Sequence, residues 1–279
     1  MRLFSGTFSS LHLSACCAVA LVACSAPESL PEDLDALVHF GWQNLDEGSS
    51  EDLAMAIDLM DRAVGAADLE GKYERSLTEL SLEEASQVGV NRDPAAAVGL
   101  FLARDFVCDM PTLTDIFVTI EQGDLYPEGY DTYDRAYSTD LEAWLSGEED
   151  QLAWDVQYTN SLLGSDYLAD VDGLIRRVGG MDPAISVVDS ALVSRLTLME
   201  PATFESSDSK SMELNFQLEF FYEREPGRIM HLYASWGHAD MGAGITTNDS
   251  VVQSLVLDGM SDWDDQTERL CAERMGSQD

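Results

Sequence analysis

The sequence predicts an α+β protein in which an N-terminal helical subdomain precedes an antiparallel sheet and a long C-terminal helix. Three observations predict it. Residues 32–90 carry apolar side chains at helical spacing, residues 212–220 alternate in period two between two further strand candidates, and residues from about 250 onward return to helical spacing. With 45% apolar and 9% aromatic residues the chain has material for a buried core, so its formal charge of −37 belongs on a folded surface.

The helical segment opens with Leu34, Leu37, Val38, Gly41, Trp42 and Leu45 on one face. Ser49 with Asp52, and Ser81 with Glu84, resemble capping boxes. They open a second helix (Leu53, Ile57, Met60 and Val64 inward) and a shorter third, with no fixed repeat period between them. Asn91-Arg92-Asp93-Pro94 ends the segment.

Val98 to Val107 reads as a buried strand and Thr112 to Glu121 as a helix with Leu113, Ile116, Phe117 and Ile120 on one side. After the breakers Pro127 and Gly129, Tyr133 to Ser138 is extended. Leu152, Trp154, Val156 and Tyr158 alternate as a half-buried strand, and Gly173 to Val178 is a shorter strand candidate. Met212, Leu214, Phe216, Leu218 and Phe220 alternate with Glu213, Asn215, Gln217 and Glu219, one greasy face against one polar face. The tight turn Glu225-Pro226-Gly227-Arg228 joins this strand to Ile229 through His238, and the polar loop Ser206 to Lys210 joins it back to Leu192 through Phe204. Three long antiparallel strands in a meander follow. Asp249 or Ser250 caps the last helix, with Val252, Leu255, Gly259, Trp263 and Leu270 on one face and Asp258, Asp262, Asp264, Asp265 and Glu268 mostly on the others.

Arg2 is the only charge before Glu28, and a short apolar run from Leu11 to Ala23 ends in Leu21-Val22-Ala23-Cys24. That is the anatomy of a secretory signal, too short for a comfortable membrane span. Leu21-Val22-Ala23-Cys24 resembles the lipobox of bacterial lipoproteins; the alternative is an ordinary secretory signal with an incidental cysteine. The resemblance implies a signal peptide over 1–23, a lipidated Cys24 with three acyl chains, and durable membrane attachment. Residues 24–31, with two prolines and small residues, suit a tether. Ser25 in place of Asp favours the outer over the inner membrane of a cell envelope.

Asp and Glu number 52 against 15 Lys and Arg, and only Lys72 and Lys210 are lysines. This resembles proteins adapted to salt, or is simply an acidic exported protein. Such a surface excludes non-specific nucleic-acid binding and docking on anionic lipid by charge. Cys108 and Cys271, the even pair left after Cys24, read as a disulfide in an oxidising compartment, with two buried free thiols as the alternative.

The order of elements over 97–275 resembles the helix-grip fold of the START and polyketide-cyclase-like (SRPBCC) superfamily, in which a curved antiparallel sheet wraps the last helix. The helix before Leu125-Tyr126-Pro127-Glu128-Gly129-Tyr130 also matches the segment after that family's first strand. The resemblance implies a cavity between sheet and helix that holds an apolar small molecule or lipid. Its lining here would be Trp154, Phe216, Phe220 and Trp236, with Trp263 or Leu255 from the helix; the competing reading makes these ordinary core.

Catalytic signals are sparse. His39 reads as a structural histidine beside Phe40 and Trp42, and His231 and His238 lie an odd number of residues apart on one strand, so they face opposite ways. His238 with Asp240 is the single pair to nominate. No nucleophile elbow, zinc helix, Walker loop or dinucleotide fingerprint occurs. Asp170-Val171-Asp172-Gly173 fails as a calcium loop, because Leu168 and Gly179 would fall at ligand positions. No cofactor is expected. The leading expectation is a non-enzymatic, lipid-anchored envelope protein binding an apolar molecule or lipid. The alternatives are a structural or interaction lipoprotein whose acidic surface docks a basic protein partner, and an unrecognised hydrolase or cyclase.

Overall fold

Asp33 accepts hydrogen bonds from the backbone N–H groups of Asp35 and Ala36 and so starts α1 (Leu34–Asn44) in this computed structural model. The structure describes residues 30–65, 72–162, 165–179, 190–205 and 209–276. The signal segment, Cys24 and most of the tether lie outside the described residues. Ser49 Oγ accepts from the N–H of Asp52 at the start of α2 (Ser50–Gly65), and Ser81 and Glu84 form a complete capping box on α3 (Leu82–Gln87).

Among the described residues between α2 and α3 there is a strand, where helix was expected. Lys72–Leu77 forms strand β1, paired antiparallel with β2 (Val98–Val107) after a short turn at Pro94–Ala96. The expected helical subdomain 32–90 therefore lends the sheet an edge strand. A cluster of charges in Lys72, Glu74 and Arg75 suits an edge that must not pair with another chain.

Next come α4 (Met110–Phe117), capped by Asp109, then α5 (Gln122–Leu125), β3 (Thr132–Tyr137) and α6 (Leu141–Ser146). The strands β4 (Gln151–Leu162), β5 (Ser165–Gly179), β6 (Ser190–Leu198), β7 (Thr203–Phe204), β8 (Ser211–Glu225) and β9 (Arg228–Asp240) precede α7 (Ser250–Gly276). Gly227, at φ 76°, closes the β8–β9 turn that the sequence marks.

Among the described residues nine strands form one antiparallel sheet in the order β1-β2-β9-β8-β6-β5-β4-β3, with β7 beside β5. The sheet is curved and unclosed, and α7 lies across it, so the α+β helix-grip arrangement is the fold. The expected meander is β6-β8-β9.

Both faces of the central strands are covered, and this decides where the site lies. On one face α1 and α2 place Leu37, Val38, Trp42 and Ile57 against Phe216, Leu218, Phe220, Leu232 and Trp236. Arg176 fastens the α1–α2 junction by donating to the carbonyls of Leu45 (3.0 Å) and Gly48 (2.8 Å), and Arg195 grips Asp46 through two bonds of 2.9 and 2.8 Å. On the other face α4 and α7 cover Phe106, Leu192, Phe221 and Ile229, and Leu257 of α7 meets Leu100, Leu102 and Tyr233. The bond between Cys108 and Cys271 joins the end of β2 to the last turns of α7.

Candidate functional site

The polar face of β8 points toward α7. Its apolar face is taken by α1 and α2, so Ser194, Asn215, Gln217, Glu219 and Ser235 form the floor of a cavity of about 1090 Å³ between sheet and helix. The wall is aromatic: Tyr126 and Tyr130 from the segment after α5, Tyr133 from β3, Trp154 and Tyr158 from β4, and Tyr167 from β5. The roof is the inner surface of α7, with Val252, Val256, Gly259, Met260 and Trp263.

This geometry corrects the expected lining. Trp154 faces the cavity, as do Trp263 and Leu255. Phe216, Phe220 and Trp236 are fully buried on the opposite face, where Trp42 meets Phe216 and Trp236 edge to face, each at 5.7 Å. An amphipathic strand gives its greasy side to the drier layer, and here that layer is the packed face under α1 and α2.

The wall rings touch in sequence. Tyr126 stacks on Trp263 at 5.4 Å and 11°, Tyr130 meets Tyr133 at 4.8 Å and Tyr158 at 5.3 Å, and Tyr158 meets Tyr167 at 6.1 Å. Most keep polar ends tied: the Tyr126 hydroxyl lies 2.9 Å from Thr267 Oγ1, and Arg135 Nε donates to the Tyr133 hydroxyl (2.9 Å). Arg135 also donates to the Phe117 carbonyl (2.6 Å) and stacks over Trp154 at 4.8 Å. Trp154 lies flat across Gly173, its directly paired neighbour on β5; a Cβ there would come within 2.1 Å of the indole. Only glycine leaves room for that ring. Burial raises the hydroxyl pKa of Tyr126, Tyr130, Tyr158 and Tyr233 above the ordinary tyrosine value, so these are neutral donors and acceptors.

Two features of this face escape sequence reasoning. Asp264, expected with the solvent-facing acids of α7, is fully buried, and its Oδ1 lies 2.8 Å from His231 Nδ1. Glu219 is 6% exposed and opens onto the cavity with no hydrogen-bond partner among the described residues. Burial pushes its pKa up to about 7; His231 opposes that rise and Asp264 adds to it. The available signal was a run of polar residues in the middle of the most apolar strand.

His238 lines the cavity, but Asp240 turns back to accept from the N–H of Gly242, and no hydrogen bond joins the two among the described residues. His39 is held by Glu84 (2.8 Å) and by Thr78 (3.1 Å) as a structural side chain. The described residues contain no group of three metal-ligating side chains and no helix long and apolar enough to cross a membrane.

No protein-family model matches the chain, and no curated protein matches it. Among solved structures it is similar to human StAR-related lipid transfer protein 5 (10% identity, 77% of this chain and 96% of that one, TM-score 0.41). It is also similar to human STARD10 (9%, 77% and 80%, TM-score 0.41) and to a START superfamily protein from Mycobacterium smegmatis (8%, 63% and 97%, TM-score 0.36). Likeness of this degree fixes neither ligand nor activity.

Proposed function

We propose that the chain is a lipid-anchored envelope protein that binds a small apolar or amphipathic molecule between its sheet and α7, without catalysis. The cavity carries this reading. It has the size of a small-molecule site, it is walled by aromatic faces, and single polar groups converge on its floor. Gly259 supports it further. In mid-helix a glycine costs about 1 kcal/mol relative to alanine, yet here it keeps the helix surface over the cavity bare, with nothing within 4 Å of where its Cβ would stand. The anchor reading rests on Leu21-Val22-Ala23-Cys24, and the disulfide suits an exported protein.

Nile red is the test probe for the cavity. Saturable one-site emission that Gly259→Phe abolishes supports the reading; no saturable uptake by the folded wild type contradicts it. For the anchor, the wild type should partition into membranes and Cys24→Ser should not. Equal partitioning of both would remove the lipid from the account.

A further inference from the structure

Glu219 stands at mid-strand on β8, between Ser194 of β6 and Tyr233 of β9 by register. It is 94% buried by the measure that leaves 6% exposed, and the open remainder faces the cavity. A carboxylate in such a place is strongly disfavoured unless something positive or hydrogen-bond-donating meets it. Among the described residues no hydrogen-bond donor meets it, and the one cation-forming side chain whose field reaches it, His231, is engaged elsewhere. His231 is held by Asp264, Arg135 by the Tyr133 hydroxyl and the Phe117 carbonyl, and Arg269 by Gln266.

The surroundings select the sign of what would meet it. Glu128, Asp262, Asp265 and Glu268 join Glu219 along the cavity against Arg135 and Arg269, and the chain carries −37. Carboxylates outnumber guanidinium groups along the lining, so an anionic head is disfavoured relative to a cationic one. An aromatic wall favours a cation wherever a ring face is open to it, and its rings bury an aromatic or aliphatic body.

We propose that Glu219 is the head-group anchor of this cavity, and that the molecule it holds carries a protonated amine on an aromatic or long apolar body. This rests on the cavity being a ligand site. Uptake is an exchange of charge partners: the ammonium keeps its protons, the Glu219 carboxyl, where protonated, gives its own to solvent, and an ion pair forms in the cavity. The groups that bear on this proton are Tyr233 and His231 from β9, Asp264 from α7, and Tyr126 and Tyr130 from the segment after α5.

The test compares naphthylethylamine, naphthylethanol and naphthylacetic acid, three probes with one body and three heads, by calorimetry near neutral pH. The amine should bind wild type about tenfold or more tighter than the alcohol, and the acid weakest. Glu219→Gln, which keeps the shape, should erase the amine's advantage and leave the alcohol's affinity in place. Amine binding measured in two buffers of different ionisation enthalpy should release a fraction of a proton from wild type, growing as the pH is lowered below about 7, and none from the variant. Equal binding of amine and alcohol by wild type overturns the proposal, as does an equal loss of both in the variant. If Nile red enters but the amine has no preference, only the anchor falls; if neither Nile red nor any of the three binds, the cavity reading falls with it.

Discussion

His231 Nδ1 lies 2.8 Å from Asp264 Oδ1, with 1% and 0% of the two side chains exposed. His231 also stacks on Phe221 at 4.1 Å and 14°, so β8, β9 and α7 meet at this pair. Among the described residues its Nε2, and Oδ2 of Asp264, have no hydrogen-bond partner. Breaking one side of a buried pair strands the other. Asp264→Ala should cost about 3–5 kcal/mol, while a double change to His231→Phe and Asp264→Leu should cost far less than two such losses. Urea unfolding of the single and double variants checks this; additive losses would show that the pair is not a unit.

Glu84 is the polar hub that joins α1 to α3. It takes His39 Nδ1 (2.8 Å) and Gln43 Nε2 (2.9 Å) on one oxygen and the Ser81 N–H (2.7 Å) on the other. Burial alone would raise its pKa, but these bonds outweigh burial and bring it down to about 2. The stabilisation is therefore present above the unfolded value near 4.5 and lost as pH falls toward about 2. His39, whose pKa is raised against the opposing effect of burial by Glu84, contributes below its ordinary 6.5 and loses that contribution as pH rises through the folded value. Glu84→Gln should destabilise the protein by about 1–3 kcal/mol at neutral pH, and the gap should close toward pH 2 in thermal melts. A gap constant with pH would contradict the assignment.

Glu219 has the opposite sign. Its folded pKa, up to about 7, exceeds the ordinary 4.5, so its contribution is fully favourable below 4.5 and is lost as pH rises through about 7. Glu219→Gln should melt with the wild type in mild acid and several degrees above it in mild base, without any ligand present. A variant that melts lower at both would show a carboxylate already satisfied by the protein.

The Cys108–Cys271 bond spans 163 residues with Cα atoms 5.4 Å apart. Loop-closure entropy bounds its contribution at about 5 kcal/mol. Replacing both cysteines with serine should lower Tm and raise hydrogen exchange first in the last turns of α7, because that is where the helix is fastened to β2. Exchange rising evenly along α7 would tell against this local role.

Much of this architecture is legible in the sequence because its strongest periodicities are local. The alternation of Met212 through Phe220 marks β8, and the spacing of Val252, Gly259 and Trp263 marks α7. Two strands escape for identifiable reasons. β1 is six residues long and charged, as an exposed edge is, and the first half of β5 carries the exposed Asp166, Asp170 and Asp172 at the end of the face whose other end, with Arg176 and Val178, lies under α1 and α2. The alternation of β8 also says which residues share a face but not which layer claims that face. Because α1 and α2 claim Phe216, Phe220 and Trp236, the cavity receives Asn215, Gln217 and Glu219, and its floor is polar where an apolar one was expected. Tertiary competition between two helical layers decided that, and a single sequence does not carry the outcome.

The most direct measurement is native mass spectrometry of the protein extracted in polymer-bounded lipid discs from the cells that make it, wild type beside Gly259→Phe. The account predicts a small-molecule adduct of one stoichiometry on the wild type, absent from the variant whose new ring fills the space under α7. A wild type that flies bare, or two proteins carrying the same adduct to the same extent, would contradict it.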